Sequence, residues 1–276
     1  MGVPIRSIVR ELLPPLLLRA IRRAPAPATG ITFSGNYAKW NDAVAASSGY
    51  NAQEILDRVE AATVRVLAGD KAFERDSVVF DSICHSFPVL AGLLRAAVEN
   101  DGELSVLDFG GSLGSSFRQC RQYLSVVRKL DWRIVEQEHF VRRGRERFET
   151  DQLRFYGSID EAVAESTPEV VLISSVVQYL ETPYSMLNEL SNSGSRYLIV
   201  DRTPFAGDSN DRLVVQQVPE SIYPASYPCW IFSRERFVAT LETEWEMLAD
   251  YPSVDGVMAA DGMRVEFGGM IMRRRS

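Results

Sequence analysis

The chain has 276 residues, 46% of them hydrophobic and 24% charged, with a formal net charge of −7. These are the proportions of a soluble globular protein with room for one large domain, or for one domain and an appendage. The acidic balance argues against general nucleic-acid binding, which calls for a basic face. Three scattered cysteines (Cys84, Cys120, Cys229) form no C-x-x-C pair, and His85 and His139 are too few for a histidine site, so no metal is expected and a reducing, cytoplasmic setting is.

Residues 1–23 differ from the rest: Arg6, Arg10, Arg19, Arg22 and Arg23 stand against Glu11 alone, around a leucine block broken by Pro14-Pro15. The block is too short for a signal peptide or a span. It reads either as an interfacial element, with leucines down and arginines toward anionic headgroups at the inner face of a membrane, or as a helix packed on the domain. Residues 24–30 read as a linker, which closes an N-terminal segment at 1–30. From 31 to 102 the pattern predicts a helical cap. Ile55, Val59, Ala62 and Val66 share one face, ended by Gly69-Asp70, and Leu90, Leu93, Leu94, Ala97 and Val98 share another.

The domain that follows, 103–276, opens with a short apolar run ending in an acid, Val106-Leu107-Asp108, then Gly110, Gly111 and Gly114, then apolar residues at helical spacing. Strand, glycine turn and helix make a nucleotide-type site, since glycines admit a ligand to the backbone and the helix start offers unpaired N–H groups. No register of these glycines supplies the dinucleotide G-x-G-x-x-G, and the phosphate-loop pattern is absent, which disfavours an NAD-dependent oxidoreductase. An acid at the strand end repels a pyrophosphate but pairs with an ammonium. S-adenosylmethionine (SAM) carries an ammonium beside its sulfonium and has no phosphate.

Trp132–Glu136 reads as the second strand, and its terminal acid falls 28 residues beyond Asp108, where a carboxylate takes ribose hydroxyls. Leu153–Tyr156 is a third strand, and Ser158 and Ile159 behind it suit an adenine edge and face. Glu169–Ile173 is a fourth strand ending in Ser174-Ser175. Thr182 caps a helix with Pro183 in its first turn, and Arg196–Asp201 is a fifth strand. Strands alternating with helices predict a mostly parallel, doubly wound α/β sheet. Residues 203–232 show no long periodic run but hold Tyr223, Tyr227 and Trp230, and read as a substrate-side insertion. Trp245–Tyr251 and Val265–Met272 alternate, as paired antiparallel strands do.

Asp108, Gly110 and Gly114 resemble the first motif of the class I SAM-dependent methyltransferases, D-x-G-x-G-x-G, with Ser112 in place of the middle glycine. Glu136, the Gly157-Ser158-Ile159 turn and the run Ser174–Leu180 follow in the order of that fold's later motifs, and the closing strand pair matches as well. Within that superfamily the chain is similar to a family of uncharacterised methyltransferase-like proteins from bacterial surface-polysaccharide (lipopolysaccharide or O-antigen) gene clusters. The resemblance is carried by residues 107–114, Val135-Glu136-Gln137, Gln178-Tyr179-Leu180, Tyr223–Trp230, Gly49-Tyr50 and Arg75-Asp76-Ser77.

The resemblance implies a Rossmann-like methyltransferase that binds SAM through Asp108, Gly110, Gly111, Ser112, Gly114, Glu136, Ser158, Ile159, Ser174 and Ser175. It faces an acceptor with Gln178, Tyr179, Arg202, Tyr223, Tyr227 and Trp230. A hydroxyl acceptor needs a general base. His85, in a polar break before a helix, is the first candidate, with Asp201 at the end of the fifth strand as its stand-in; His139 begins a helix and is given no role. The expected reaction is O-methylation of a sugar in a surface glycan or its lipid- or nucleotide-linked precursor. The other reading is a non-catalytic subunit of this fold docked on a glycan-assembly complex.

Overall fold

The computed structural model describes residues 30–49, 52–220 and 222–275, so the segment 1–23 and Tyr50 lie outside the described residues. In chain order the elements are β1 (Thr32–Tyr37), α1 (Trp40–Ala46), α2 (Ala52–Leu67), the hairpin β2 (Phe73–Arg75) and β3 (Val78–Phe80), and α3 (Phe87–Glu99). The alternating part follows: β4 (Glu103–Phe109), α4 (Ser115–Leu124), β5 (Lys129–Val135), α5 (Glu138–Arg147), β6 (Leu153–Tyr156), α6 (Ile159–Ala164), β7 (Val170–Ser174), α7 (Pro183–Ser191) and β8 (Tyr197–Ala206). Last come β9 (Arg212–Val218), β10 (Ala225–Ser233), α8 (Arg234–Leu241), β11 (Trp245–Ala260) and β12 (Met263–Arg274).

Strands β6-β5-β4-β7-β8 lie side by side and run parallel. They are mostly apolar because both faces are buried, and successive residues feed opposite layers. Val106, Trp132, Ile134, Phe155, Leu172 and Ile199 pack beneath α2 to α5. Leu107, Val135, Val171, Ile173, Leu198 and Val200 pack beneath α6 to α8. The antiparallel β12 closes the sheet against β8, with β11 outside it. The architecture is therefore Rossmann-like, a mostly parallel, doubly wound sheet with a closing antiparallel strand.

Strand β8 is longer than its sequence pattern suggested, and it changes partner along its length. Its pairing with β7 ends at Ser174↔Asp201, and β10 joins it further on, at Phe232↔Phe205 and Ser233↔Ala206. Strands β9 and β1 then extend β10 in antiparallel order. This extension and the tip of the β11–β12 hairpin enclose a small core of their own, including Phe33, Val214, Cys229, Ile231, Val265 and Phe267.

Three expectations change. Residues 31–102 are not wholly helical, since β1 is claimed by β9 and the segment 73–80 folds as a hairpin. Residues 203–232 are mainly strand, their side chains alternating too irregularly to show it. Val98 is 78% exposed and leaves the face assigned to it in α3. Thr182 does occupy the cap position of α7, but its side chain makes no capping bond.

Candidate active site

Where β4 stops, backbone conformation explains the glycines. Gly110 and Gly114 have φ of +72° and +99°, in the region that side chains disfavour. A Cβ at Gly110 would also collide with Val176, and one at Gly111 would lie 2.6 Å from the carboxyl carbon of Asp108. Ser112 adopts φ +55° without being glycine, a strain of about 1 kcal/mol or more. Its N–H donates to Glu136 Oε1 at 3.2 Å, while Gln137 N–H donates to Oε2 at 2.8 Å. Glu136 thereby pins the turn from the end of β5, and burial raises its pKa.

Asp108 supports the same turn from below. It is 1% exposed, accepts the Trp132 indole N–H at 2.9 Å and is covered by Gly111. Burial pushes its pKa up to about 7, the indole bond opposes this, and the Glu136 charge adds to it. The strand-end acid thus does not line the cleft above it.

That cleft sits at the end of the parallel strands where β4 and β7 diverge, the place where sheets of this kind bind ligands. Its floor is Gly110, Gly111, Ser112 and the first turns of α4 (Ser115, Ser116, Gln119), and its far wall is Ser174, Asp201 and Arg202. Its roof is Phe73, Arg75 and Asp76 of the β2–β3 hairpin, with Ser86 and Val254. Asp201 is 4% exposed; Ser174 Oγ donates to its Oδ2 at 3.4 Å, and the Tyr251 hydroxyl, which donates to the Val200 carbonyl at 3.0 Å, also acts on this carboxyl group. Burial raises its pKa to about 6, Arg202 opposes the rise, and Asp255 adds to it.

Arg202, at φ +55°, donates from Nε to Asp255 and from Nη2 to Asp76, both at 2.7 Å. Burial alone would lower its pKa, but the two carboxylates outweigh burial and hold the guanidinium charged. Arg75 reaches the other oxygen of Asp255 at 3.4 Å. Four charges of alternating sign therefore tie the β2–β3 hairpin, β8 and β11 together around the mouth.

Not every residue singled out in the sequence reaches this place. The His85 ring lies edge-on to Tyr123, centroids 4.9 Å apart, beside Phe87, and only its neighbour Ser86 lines the cleft. The bond from Gln119 to the Cys84 carbonyl fixes the chain so that the imidazole turns down the outer side of α4, with Nδ1 buried and unpartnered. Ser158 spends its hydroxyl capping α6, accepting from Glu161 N–H at 3.2 Å, and Ile159 packs in the core beneath it. Neither is a cleft wall.

Ser175 follows Ser174 at φ +56°, and its Oγ accepts from the buried Gln178 at 3.2 Å. Tyr179 donates to Gln216 Oε1 at 3.1 Å and meets Tyr227 edge-on, and Gln216 donates to the Tyr227 hydroxyl at 3.2 Å. Trp230 stacks on Trp40 and donates to the Leu180 carbonyl at 3.0 Å. Tyr223 interacts with Tyr227. Tyr179 and Tyr227 thus meet on one face of β10 and Trp230 packs on the other, and none of these aromatics lines the cleft.

The residues that sequence reasoning missed lie on the roof. Arg75 and Asp76 entered the sequence reading only through the family resemblance and were given no place in the site, and Asp255 enters through an irregular stretch of the long strand β11. Glu74, on the same hairpin, is buried and accepts from Ser115 Oγ. Among the described residues no helix is long and apolar enough to cross a membrane.

No protein-family model and no curated protein matches the chain. Solved structures do resemble it. One is the N-terminal domain of EvdMO1, solved with SAH and D-fucose, at 15% identity and TM-score 0.46, covering 82% of this chain and 98% of that one. Another is magnesium protoporphyrin IX methyltransferase (ChlM) from Synechocystis PCC 6803 with SAM, at 13% identity and TM-score 0.41, covering 99% of each. A third is the N-methyltransferase NodS from Bradyrhizobium japonicum WM9 with SAH, at 11% identity and TM-score 0.41, covering 70% and 89%.

Proposed function

We propose that this chain is a SAM-dependent O-methyltransferase whose acceptor is a hydroxyl of a sugar, in a surface glycan or its lipid- or nucleotide-linked precursor. SAM, when bound, supplies an electrophilic methyl group. The chain's own residues have to hold it, line up the acceptor and take a proton. Gly110 and Gly111 line the cleft with their backbone, and Glu136 stands beside them with a carboxylate suited to two ribose hydroxyls.

The observation that carries the catalytic reading is the buried Asp201 carboxyl group, which lines the wall opposite the glycine turn and is held by Ser174 and Tyr251. A carboxylate with a pKa near 6 is ionised at neutral pH yet more basic than an ordinary aspartate, which suits proton removal from a hydroxyl. Asp201 thus takes the role first given to His85. Arg75, Asp76, Arg202 and Asp255 balance in charge and offer donors and acceptors at the mouth, which favours a neutral, hydroxylated acceptor.

The test follows methyl-labelled SAM incubated with lipid-linked and nucleotide-linked sugar fractions. Label should enter a sugar with the native protein and be lost with Asp201→Asn. Absence of SAM binding in calorimetry would instead favour the non-catalytic subunit. The segment 1–23 is proposed to hold the enzyme near anionic lipid; equal binding to acidic vesicles with and without it would sink that idea.

A further inference from the structure

We infer that Glu74, contributed by the β2–β3 hairpin, is the carboxylate that receives the ammonium of the cofactor's amino-acid end. The inference rests on the SAM reading above. Such an ammonium needs an anionic partner near the glycine turn, and Asp108 is closed off beneath Gly111 and bonded to Trp132. Glu74 is another carboxyl group at this turn. It is 1% exposed; its Oε1 takes the Ser115 hydroxyl at the first turn of α4, and its Oε2 has no partner at all.

Its partner Ser115 lines the cleft, and so do its chain neighbours Phe73 and Arg75, while the Glu74 carboxyl group lies one layer behind that lining and meets it through Ser115. A buried carboxylate oxygen left without a hydrogen bond is costly, so its retention beside a ligand cleft points to a cation supplied by the ligand. The nearby cation of the chain does not fill that place: both Nη atoms of Arg118 donate to the Leu113 carbonyl, at 2.6 and 2.7 Å.

The charged groups about Glu74 are Arg118 from α4 and Asp76 from the hairpin turn. Burial, the largest influence, raises its pKa to about 7; Ser115 and Arg118 lower it, and Asp76 raises it. The free protein near pH 7 therefore holds Glu74 partly protonated, and an arriving ammonium expels that proton.

The experiment is calorimetry on the full chain with S-adenosylhomocysteine (SAH), with its desamino analogue and with 5′-methylthioadenosine, which lacks the amino-acid end. Glu74→Gln should weaken SAH roughly ten- to a hundredfold and leave 5′-methylthioadenosine within about twofold. In the native protein SAH binding near pH 7 should release protons, read from the buffer dependence of the heat, and Glu74→Gln should abolish the release. Equal weakening of both ligands, or none, overturns the assignment and makes Glu74 a support of the turn. Should Glu74→Gln fail to fold, the native protein decides: equal affinity for SAH and its desamino analogue overturns the assignment. Loss of affinity on Glu136→Ala alongside indifference to Glu74 would reject Glu74 alone, whereas no SAH binding by the native protein would reject the cofactor reading and this assignment with it.

Discussion

The parallel strands β4 to β8 and the layer built beyond them solve different problems with the same backbone. In the first, the strands are mostly apolar, all but the β4–β7 pair join neighbours one strand–helix unit apart in sequence, and helices cover both faces. In the second, Thr32 pairs with Gln217 and Gly35 N–H reaches Asp261, so strands are recruited across most of the chain. The first is a framework whose order follows from local pattern. The second is a layer that exists because β8 runs past the end of β7 and offers a free edge, and over it the separate two-stranded β2–β3 hairpin completes the roof. The cleft opens at that change of partner, with Asp201 as the last framework residue and Arg202 as the first held by the roof.

If this division is right, substitutions should sort by side. The largest effect is expected at the boundary. Asp201→Asn should cut methyl transfer about 10²- to 10⁴-fold while SAH affinity and thermal midpoint stay close to native. Transfer at near-native rate would remove Asp201 from the chemistry. In the framework, Leu107→Ala deletes a fully buried side chain between sheet and helices, and should cost about 2–5 kcal/mol in denaturant unfolding. A markedly smaller loss would mean that the sheet tolerates a cavity there and is not the rigid half.

How far each half could be read from sequence follows from the same distinction. The strand at Leu153–Tyr156, the helix opening at Pro183 and the glycine turn could be read because periodicity, proline and glycine act within a few residues. Strand β1 could not, since nothing in Thr32–Tyr37 states that Val214 and Ile231 are waiting for Phe33. Of the site, Glu136 and Asp201 announced themselves as acids ending apolar strands. His85 looked equally placed, but its direction depends on the bond between Gln119 and the Cys84 carbonyl, which is a tertiary fact. Glu74, Arg75 and Asp255 belong to the roof and share its illegibility.

Two smaller changes separate ligand from latch. Glu136→Ala removes charge-assisted contacts of about 1.5–3 kcal/mol, so SAH should bind roughly ten- to a hundredfold more weakly, and the loss of the acceptor for Ser112 and Gln137 N–H should lower stability as well. Asp255→Asn weakens the link from Arg202 and Arg75 to the β11 hairpin. Amides of residues 73–80 should then exchange faster while those of β4, β5 and β7 keep their protection. Uniform acceleration through the sheet would show that roof and framework unfold as one unit.

The smallest effect is a slope. Asp108 is a framework residue whose pKa is raised to about 7, against an ordinary value of about 3.9 in the unfolded chain. Between those values the folded state binds more protons than the unfolded state, so stability is greatest below the lower one and declines as pH rises through the higher. Asp201, raised to about 6, and Glu74, raised to about 7, act in the same direction. Asn at position 108 keeps an oxygen for the Trp132 indole and has no proton to lose. Urea unfolding at pH 5 and pH 8 should therefore show the native protein losing roughly 2 kcal/mol more than Asp108→Asn across that interval. Asp201→Asn should flatten the curve in a lower window, from about pH 4 to 6, because burial is less complete where framework meets roof. Equal slopes for the native protein and Asp108→Asn would mean that Asp108 is already ionised beneath Gly111. The turn would then rest on a buried charge, and the ammonium assigned to Glu74 would have a competing anion directly under the glycines.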